Sequence, residues 1–153
     1  MTYRAPVRDL AFALTEVVGI GRLRAGFPDL DDDTLQAVLE AAGQFSAEVL
    51  APLNRVGDQQ GARYANGVVT TAPGFPDAYR QFAEAGWNSL DADPAYGGQG
   101  LPKALALAVF ETIHGANMAF GLCPLLTHGA IEALHAHGSE AQKATYLPPM
   151  ISG

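Results

Sequence analysis

The stretch DPAYGGQGLPKALALAVFETIHGANMA, residues 93–119, decides the fold of this 153-residue chain. A loop with three glycines comes first, and Pro102 then stands at a position suited to the first turn of a helix. The apolar residues that follow recur at three- and four-residue spacing: Leu105, Val109, Phe110 and Ile113. Such spacing puts apolar side chains on one face. We therefore predict a helix from Pro102 to about residue 117.

Two further helices are predicted downstream of this one. The first spans roughly Pro124 to His137, and Gly138 should terminate it. Ser139 and Gln142 then form the S-x-x-Q pattern of a capping box, in which each side chain satisfies a free backbone N–H group of the other residue. The last helix should begin there and end before Pro148.

Helical spacing also runs through the upstream half. We predict helices over residues 8–18, 33–50 and 76–85, the second ended by Pro52 and the third closed by Gly86. Asn66 and Gly67 suit a tight turn, so residues 64–71 are expected to form a small hairpin or an irregular extended loop. With about six short helices and no βαβ alternation, the fold class is all-α.

Composition limits the function classes. Hydrophobic residues make up 48% of the chain, and charged residues only 16%, which suits one compact domain. The net charge of -7, with acids bunched at Asp29 and Asp31 to Asp33, disfavours nucleic acid and anionic lipid as partners. No apolar run approaches the roughly 20 residues that cross a bilayer. Cys123 is the single cysteine, which fits a reducing compartment, and we expect a cytoplasmic, soluble chain.

Three features invite a chemical interpretation, and each has a plainer one that we favour. The glycines of residues 19–26 do not have dinucleotide-loop spacing and follow a predicted helix, so a helix-ending loop is favoured. His135 and His137 are two residues apart and diverge around a helix, so together with His114 and His128 they do not predict a metal site. Cys123 lies in an apolar neighbourhood, which favours an inert buried thiol over a nucleophile.

The helical glutamates also have a chemical interpretation and a plainer one. A carboxylate can serve acid–base chemistry when burial raises its pKa, and the sequence shows no such burial. For most of the helical glutamates we therefore favour a solvated helix face: Glu40, Glu48, Glu84, Glu132 and Glu140. Glu111, between Phe110 and Ile113, is instead a candidate for an interface. The apolar run around Met118 to Leu126 is ordinarily core, but it equally suits the wall of a pocket for an aliphatic tail.

Residues 93–153 resemble the acyl-CoA dehydrogenase family. The family pattern has a YGGxG loop, a helix carrying a glutamate, an apolar stretch and then G-x-x-x-Q-K-x-x-Y-L-P, and here it is carried by Tyr96, Gly97, Gly98, Gly100, Glu111, Gly138, Gln142, Lys143, Tyr146, Leu147, Pro148, Ser152 and Gly153. Upstream, residues 3–6, 12–17, 48–61 and 74–87 are similar to a subgroup with an extra amino-terminal segment, which includes dehydrogenases of 3-methylmercaptopropionyl-CoA.

The resemblance implies residues 1–30 as the amino-terminal extension and 31–153 as the amino-terminal helical domain of an FAD-dependent enzyme. In the family a middle β-barrel domain and a carboxy-terminal helical domain follow. Such enzymes oxidise an acyl-CoA thioester to the 2,3-enoyl-CoA, assemble as homo-oligomers and pass electrons to electron-transferring flavoprotein.

The flavin motif and the catalytic glutamate of the family lie beyond Gly153. We therefore predict no catalytic, cofactor-binding or metal residues in this chain, and neither FAD binding nor activity by the chain alone. The family's amino-terminal domain walls the acyl pocket between the helix carrying Glu111 and the next. By position, the candidates for contact with the acyl chain are Phe120, Gly121, Leu122, Pro124 and Leu125. The alternative is a stand-alone, non-catalytic interaction or oligomerisation module derived from the family, whose outward apolar faces should have become polar or self-paired.

Overall fold

Six continuous helical rods make up most of the chain in the computed structural model, counted over residues 3–28 and 30–153, which it describes. Asp29 of the acidic cluster lies outside these ranges. The elements, in chain order, are α1 (Val7–Phe12) with a π-helical continuation (Ala13–Val18), a 3-10 helix (Ile20–Gly26), α2 (Asp32–Phe45), a π-helical turn (Ser46–Leu50), α3 (Ala51–Gln60), β1 (Arg63–Ala65), β2 (Val68–Thr70), α4 (Phe75–Glu84), two 3-10 turns (Trp87–Ser89 and Pro94–Tyr96), α5 (Lys103–Ala116), α6 (Met118–His137) and α7 (Glu140–Ser152). The all-α prediction is confirmed.

Helix α5 lies at the centre, with α2 packed on one side and α6 on the other. Its predicted inner face is confirmed, because Leu105, Val109, Phe110 and Ile113 are all buried. Leu105 joins a cluster with the amino-terminal segment and α2, whereas Val109 and Ile113 join a cluster with α4 and α6. One helix thus links both halves of the core.

The segment before residue 31 is packed into the domain. Leu10 and Leu14 of the first rod, together with Ile20 and Leu30, are buried against α2 and α5. The Tyr3 hydroxyl donates to the Thr112 carbonyl oxygen at 2.9 Å and so ties the chain start to α5.

Prolines stand inside two rods where we predicted helix ends. The prediction that Pro52 ends a helix is wrong: α2 runs through Ser46–Leu50 into α3. The wider π-helical turn changes the hydrogen-bonding ladder just before the proline, which has no N–H to contribute. The same turn brings the Ser46 hydroxyl to 3.0 Å from that of Thr112 inside the core.

The last helix likewise continues past Pro148, where we expected it to end. Leu147 and Ile151, on either side of the two prolines, are buried. The Asn88 amide donates to the Met150 carbonyl oxygen at 2.6 Å and secures the final turn. Tertiary contacts here outweigh the missing proline N–H groups. The capping box of Ser139 and Gln142 is confirmed at the start of this helix.

Helix α6 begins six residues before the predicted Pro124, at Met118, and Pro102 proves to be the cap of α5 instead of its first residue. The signal we missed is Asn117, whose side chain accepts from the Phe120 N–H at 3.1 Å. Its amide donates at 3.1 Å to the Leu50 carbonyl oxygen, so the cap is also a buried link to the α2–α3 rod. The expected hairpin is confirmed, with Asn66 and Gly67 at φ of 52° and 80°.

The glycine-rich loop before α5 lies against residues 86–92. Backbone N–H groups of Gln99, Gly100 and Leu101 donate to carbonyl oxygens of Ser89, Ala92 and Leu90 at 2.8–3.0 Å. Gly98 approaches most closely, because a Cβ atom there would lie 1.9 Å from the Ala92 carbonyl oxygen. The glycines of this motif therefore serve close backbone packing.

We expect Gly98→Ala to lower the free energy of unfolding by about 1–3 kcal/mol, because the new methyl group must push two backbone segments apart. Urea unfolding followed by circular dichroism measures the change. Gly21→Ala is the matched control, since a Cβ at Gly21 meets nothing within 4 Å. Equal stability of the two variants would contradict this account of the loop.

Candidate functional site

One face of α6 is apolar and open to solvent. Its four large side chains lie at helical spacing and have exposed fractions of 55%, 48%, 47% and 74%: Met118, Leu122, Leu125 and Leu126. We call these four residues the α6 apolar face. The sequence from Met118 to Ile131 contains no Asp, Glu, Lys or Arg, so the face carries no formal charge from these residue types. Apolar surface gathered in this way is typical of a binding surface.

The five predicted acyl-contact residues divide between the two sides of α6. Phe120, Gly121 and Pro124 are buried, and they face the core. The Phe120 ring packs edge-on against Phe82, with ring centroids 5.7 Å apart. Only Leu122 and Leu125 lie on the α6 apolar face. The sequence could not separate the two sides because nearly every residue of the run is apolar.

Gly121 determines how closely α6 approaches α5. A Cβ atom at this position would lie 2.2 Å from Cδ2 of His114 on α5. The imidazole ring therefore occupies the space that a side chain would need. Gly129, two turns later in the same helix, has open space where a Cβ would stand.

Between α5 and α6 lies a cavity of about 430 Å³, which we call the α5–α6 cavity. Its walls combine apolar and polar side chains: Asp91, Lys103, Ala106, Leu107, Phe110, Glu111, His114, Leu125, His128, Gly129 and Glu132. Leu125 is the one predicted acyl-contact residue among them. The Lys103 ammonium group contacts the Glu132 carboxylate across the rim of the cavity.

The His128 side chain is largely enclosed in the wall of this cavity. Its Nδ1 atom lies 3.6 Å from Oδ1 of Asp91, and its ring packs edge-on against Phe110 at a centroid distance of 4.6 Å. Burial lowers the pKa of the imidazole, and the nearby carboxylates of Asp91 and Glu132 oppose that shift. The lowered pKa favours a neutral imidazole ring near pH 7.

The loop before α5 is fastened to α6 by a second histidine. His135 Nε2 lies 3.0 Å from Oδ2 of Asp93, and Oδ1 of the same aspartate accepts from the Ala95 N–H at 2.8 Å. The backbone hydrogen bond and the imidazole contact lower the pKa of the Asp93 carboxyl. His128 and His135 are thus partnered by acids, and no group of three or more potential metal ligands occurs among the described residues.

A cavity of about 510 Å³ lies between α4 and α6, lined mainly by Phe75, Tyr79, Phe120 and Cys123. The Cys123 thiol is exposed, so the prediction of a buried thiol is wrong. Burial, followed by the nearby thiol, raises the pKa of the Tyr79 hydroxyl. Among the hydrogen bonds of the described residues, none joins the Cys123 thiol to a basic side chain. A nucleophilic role for Cys123 therefore gains no support.

The remaining sequence features have structural roles. Glu40, Glu48, Glu84, Glu132 and Glu140 are exposed, as the solvated-face interpretation predicts. Glu111 is exposed as well, and its place at an interface stays a prediction. Gly19 ends the first rod in a left-handed conformation, and residues 20–26 form a 3-10 helix anchored by the buried Ile20 where we predicted a loop. Among the described helices, none is long and apolar enough to span a bilayer.

Comparison with known proteins agrees with this architecture. The family described as "Acyl-CoA dehydrogenase, N-terminal domain" matches residues 32–153. The chain is 46% identical to 3-methylmercaptopropionyl-CoA dehydrogenase of Ruegeria pomeroyi, an alignment that covers 100% of this chain and 26% of the relative. It is 31% identical to a broad-specificity linear acyl-CoA dehydrogenase of Mycobacterium tuberculosis, over 92% of this chain and 24% of the relative.

A butyryl-CoA dehydrogenase of Syntrophomonas wolfei is 28% identical over 99% of the chain, which covers 26% of that protein. The chain thus spans about a quarter of the length of these relatives. These relatives are named as acyl-CoA dehydrogenases, which form a class of oxidoreductases. The chain is a member of the acyl-CoA dehydrogenase family and corresponds to its amino-terminal domain, which confirms the resemblance seen in the sequence.

The contact between Gly121 and His114 is open to a matched test within one helix. We expect Gly121→Ala to lower the free energy of unfolding by about 1–2 kcal/mol, because overpacking outweighs the better helix propensity of alanine. Gly129→Ala should instead raise it by about 0.5–1 kcal/mol. Thermal unfolding of both variants measures the difference, and a stabilising Gly121→Ala would contradict the close contact.

The enclosed state of His128 has a consequence for stability against pH. A histidine with a lowered pKa in the folded state binds its proton more readily when unfolded, so stability falls as pH drops below the ordinary value of 6.5 toward the folded value. The slope from one proton is at most about 1.4 kcal/mol per pH unit. Between pH 7 and 5, His128→Gln should lose stability less steeply than the unmodified chain. Urea unfolding at a series of pH values measures the slope, and equal slopes in His128→Gln and the unmodified chain would contradict this account.

Proposed function

We propose that this chain acts as the amino-terminal part of an FAD-dependent acyl-CoA dehydrogenase, which converts an acyl-CoA thioester to the 2,3-enoyl-CoA. The family membership and the quarter-length coverage of the relatives support the proposal. A bound flavin would accept the hydride from the substrate. The residues expected to hold that flavin and the catalytic base belong to the domains that follow in the family.

The contribution of this chain is to wall the acyl pocket and to exclude water from it. The α6 apolar face carries this proposal, because an alkyl chain needs only shape and apolar surface. Leu122 and Leu125 are the proposed contacts with the acyl chain. Phe120, Gly121 and Pro124 support that wall from the buried side by fixing the distance between α6 and the core.

The α5–α6 cavity is less suited to an alkyl chain than the outer face of α6. Asp91 lines it with a buried carboxylate oxygen, and an alkyl chain has no group that can donate to that oxygen. We therefore assign the acyl wall to the outer face of the helix, beside the groove that separates α5 from α6.

The alternative, a stand-alone interaction or oligomerisation module, would have made its outward apolar faces polar or paired them with one another. Met118, Leu122, Leu125 and Leu126 are all apolar and exposed, and this observation favours the enzyme over a module whose faces became polar. Electron-transferring flavoprotein as electron acceptor, homo-oligomeric assembly and a cytoplasmic location follow from the same proposal.

A mutation on the α6 apolar face tests the proposal in the full-length protein purified from its source. The expected properties are a flavin absorbance spectrum and acyl-CoA oxidation with an artificial electron acceptor, whereas the 153-residue chain alone should have neither. Suitable substrates are the 3-methylmercaptopropionyl-CoA and butyryl-CoA named by the relatives. Leu122→Asp should lower kcat/KM at least about tenfold, because it brings a charge into the acyl pocket.

Leu23→Asp is the matched control, since Leu23 is similarly exposed at 41% and lies in the amino-terminal segment. It should leave kcat/KM nearly unchanged. Equal losses in both variants, or acyl-CoA oxidation by the 153-residue chain by itself, would contradict the proposal.

A further inference from the structure

The first helical rod, residues 7–18, has an exposed apolar face. Phe12, Val17 and Val18 have exposed fractions of 61%, 74% and 52%. We call these three residues the amino-terminal apolar patch. The other side of the rod is packed into the domain, because Leu10 and Leu14 are buried against α2 and α5. The patch therefore belongs to an anchored element, and apolar side chains gathered on such a surface are typical of a contact site.

A π-helical turn brings the patch together. Residues Ala13–Val18 form this turn, and the Gly19 N–H that follows it donates to the Leu14 carbonyl oxygen. Hydrogen bonds of a π-helical turn join residues five apart, so Phe12 and Val17 lie on one side of the rod. A continued α-helix would turn them about 140° apart. Such turns are rare inside helices and are frequent at functional sites.

The amino-terminal segment accompanies relatives that are long. The family model begins at residue 32, so residues 1–31 lie outside it. The relatives from Ruegeria pomeroyi and Syntrophomonas wolfei align with 100% and 99% of this chain, and the aligned part is 26% of each, which gives proteins of about 600 residues. An isovaleryl-CoA dehydrogenase of Oryza sativa aligns with 81% of this chain, and its 132 aligned residues are 28% of a protein of about 470 residues.

The difference in length points to the partner of the patch. The longer relatives exceed the shorter one by about 130 residues, and residues 1–31 account for only about a quarter of that excess. We call the rest the additional segment: about 100 residues of the longer relatives that lie outside the part aligned here and have no counterpart in the shorter one. A contact face on an element that accompanies long relatives fits a partner that accompanies them too.

We propose that the amino-terminal apolar patch docks against the additional segment of the full-length protein. This inference rests on the proposal that the chain is the amino-terminal part of a longer enzyme. Burial of Phe12, Val17 and Val18 in that contact would remove apolar surface from water and so fasten the two parts together. The contact is separate from the α6 apolar face, because it lies on the side of the first rod that points away from α2 and α5.

Photo-crosslinking in the full-length protein tests the contact. The photoreactive residue p-benzoylphenylalanine replaces Phe12, and mass spectrometry identifies the peptide to which it becomes attached. We expect attachment to the additional segment of the same chain, which is located by alignment of the full-length sequence with the shorter relative. The same probe in place of Gln59, at an exposed position on α3, should not attach to that segment.

A charge in the patch should weaken the contact. Val17→Asp should lower the crosslinking yield from position 12 at least about fivefold, because a carboxylate is costly to bury against apolar groups. Gln59→Asp adds the same charge to α3 and should leave the yield unchanged. Val17 is exposed within this domain, so folding of the domain does not depend on it.

Four results would each overturn the inference: a full-length protein without the additional segment, attachment to a part that the shorter relative shares, attachment to a second copy of the chain, or an undiminished yield in Val17→Asp. Absence of any crosslink from position 12 would overturn it as well. Flavin absorbance and acyl-CoA oxidation of the same preparation report separately on the proposed function. An active flavoenzyme without the crosslink therefore contradicts the docking contact alone.

Discussion

The burial of α5 on every side except the exposed stripe that runs from Lys103 to Gly115 is the constraint on which the rest of the structure depends. Eight of its fourteen residues are buried, and they point toward the amino-terminal segment, α2, α4 and α6 in turn. A helix enclosed in this way must have neighbours that approach closely without side-chain collisions. Small residues and glycines therefore occur where the backbones of other segments come near it.

Two glycines illustrate that constraint on opposite ends of α5. Gly98 lets the loop before the helix lie against Ala92, and Gly121 leaves room for the His114 ring between α5 and α6. The first contact fixes where α5 begins, and the second fixes its spacing from α6. That spacing gives the α5–α6 cavity its width and leaves the α6 apolar face directed outward.

Buried asparagines join the rods in a way that apolar contacts alone would not. Asn88 donates to the end of α7, and Asn117 caps α6 while donating to the Leu50 carbonyl oxygen at the end of the π-helical turn. Both side chains are about 1% exposed. Because a buried amide N–H group is costly to leave without an acceptor, each of these donor contacts permits few alternative helix arrangements.

The sequence by itself determined the all-α class, the inner face of α5, the hairpin turn at Asn66 and Gly67, and the capping box of α7. Each of these depends on residues that are neighbours along the chain or one helical turn apart, so local spacing predicts them. The family followed from the sequence for the same reason, since its motifs are contiguous.

The tertiary structure alone decided which helices continue through Pro52, Pro124 and Pro148, and which side of α6 faces solvent. A proline removes one N–H group wherever it occurs, but whether the helix continues depends on distant partners such as Asn88 and the core around Leu147. In α6 nearly all residues are apolar, so only packing against α4 and α5 separated the buried Phe120 from the exposed Leu122. The contact between Asp91 and His128 joins residues that are far apart in the sequence, so no local pattern predicts it.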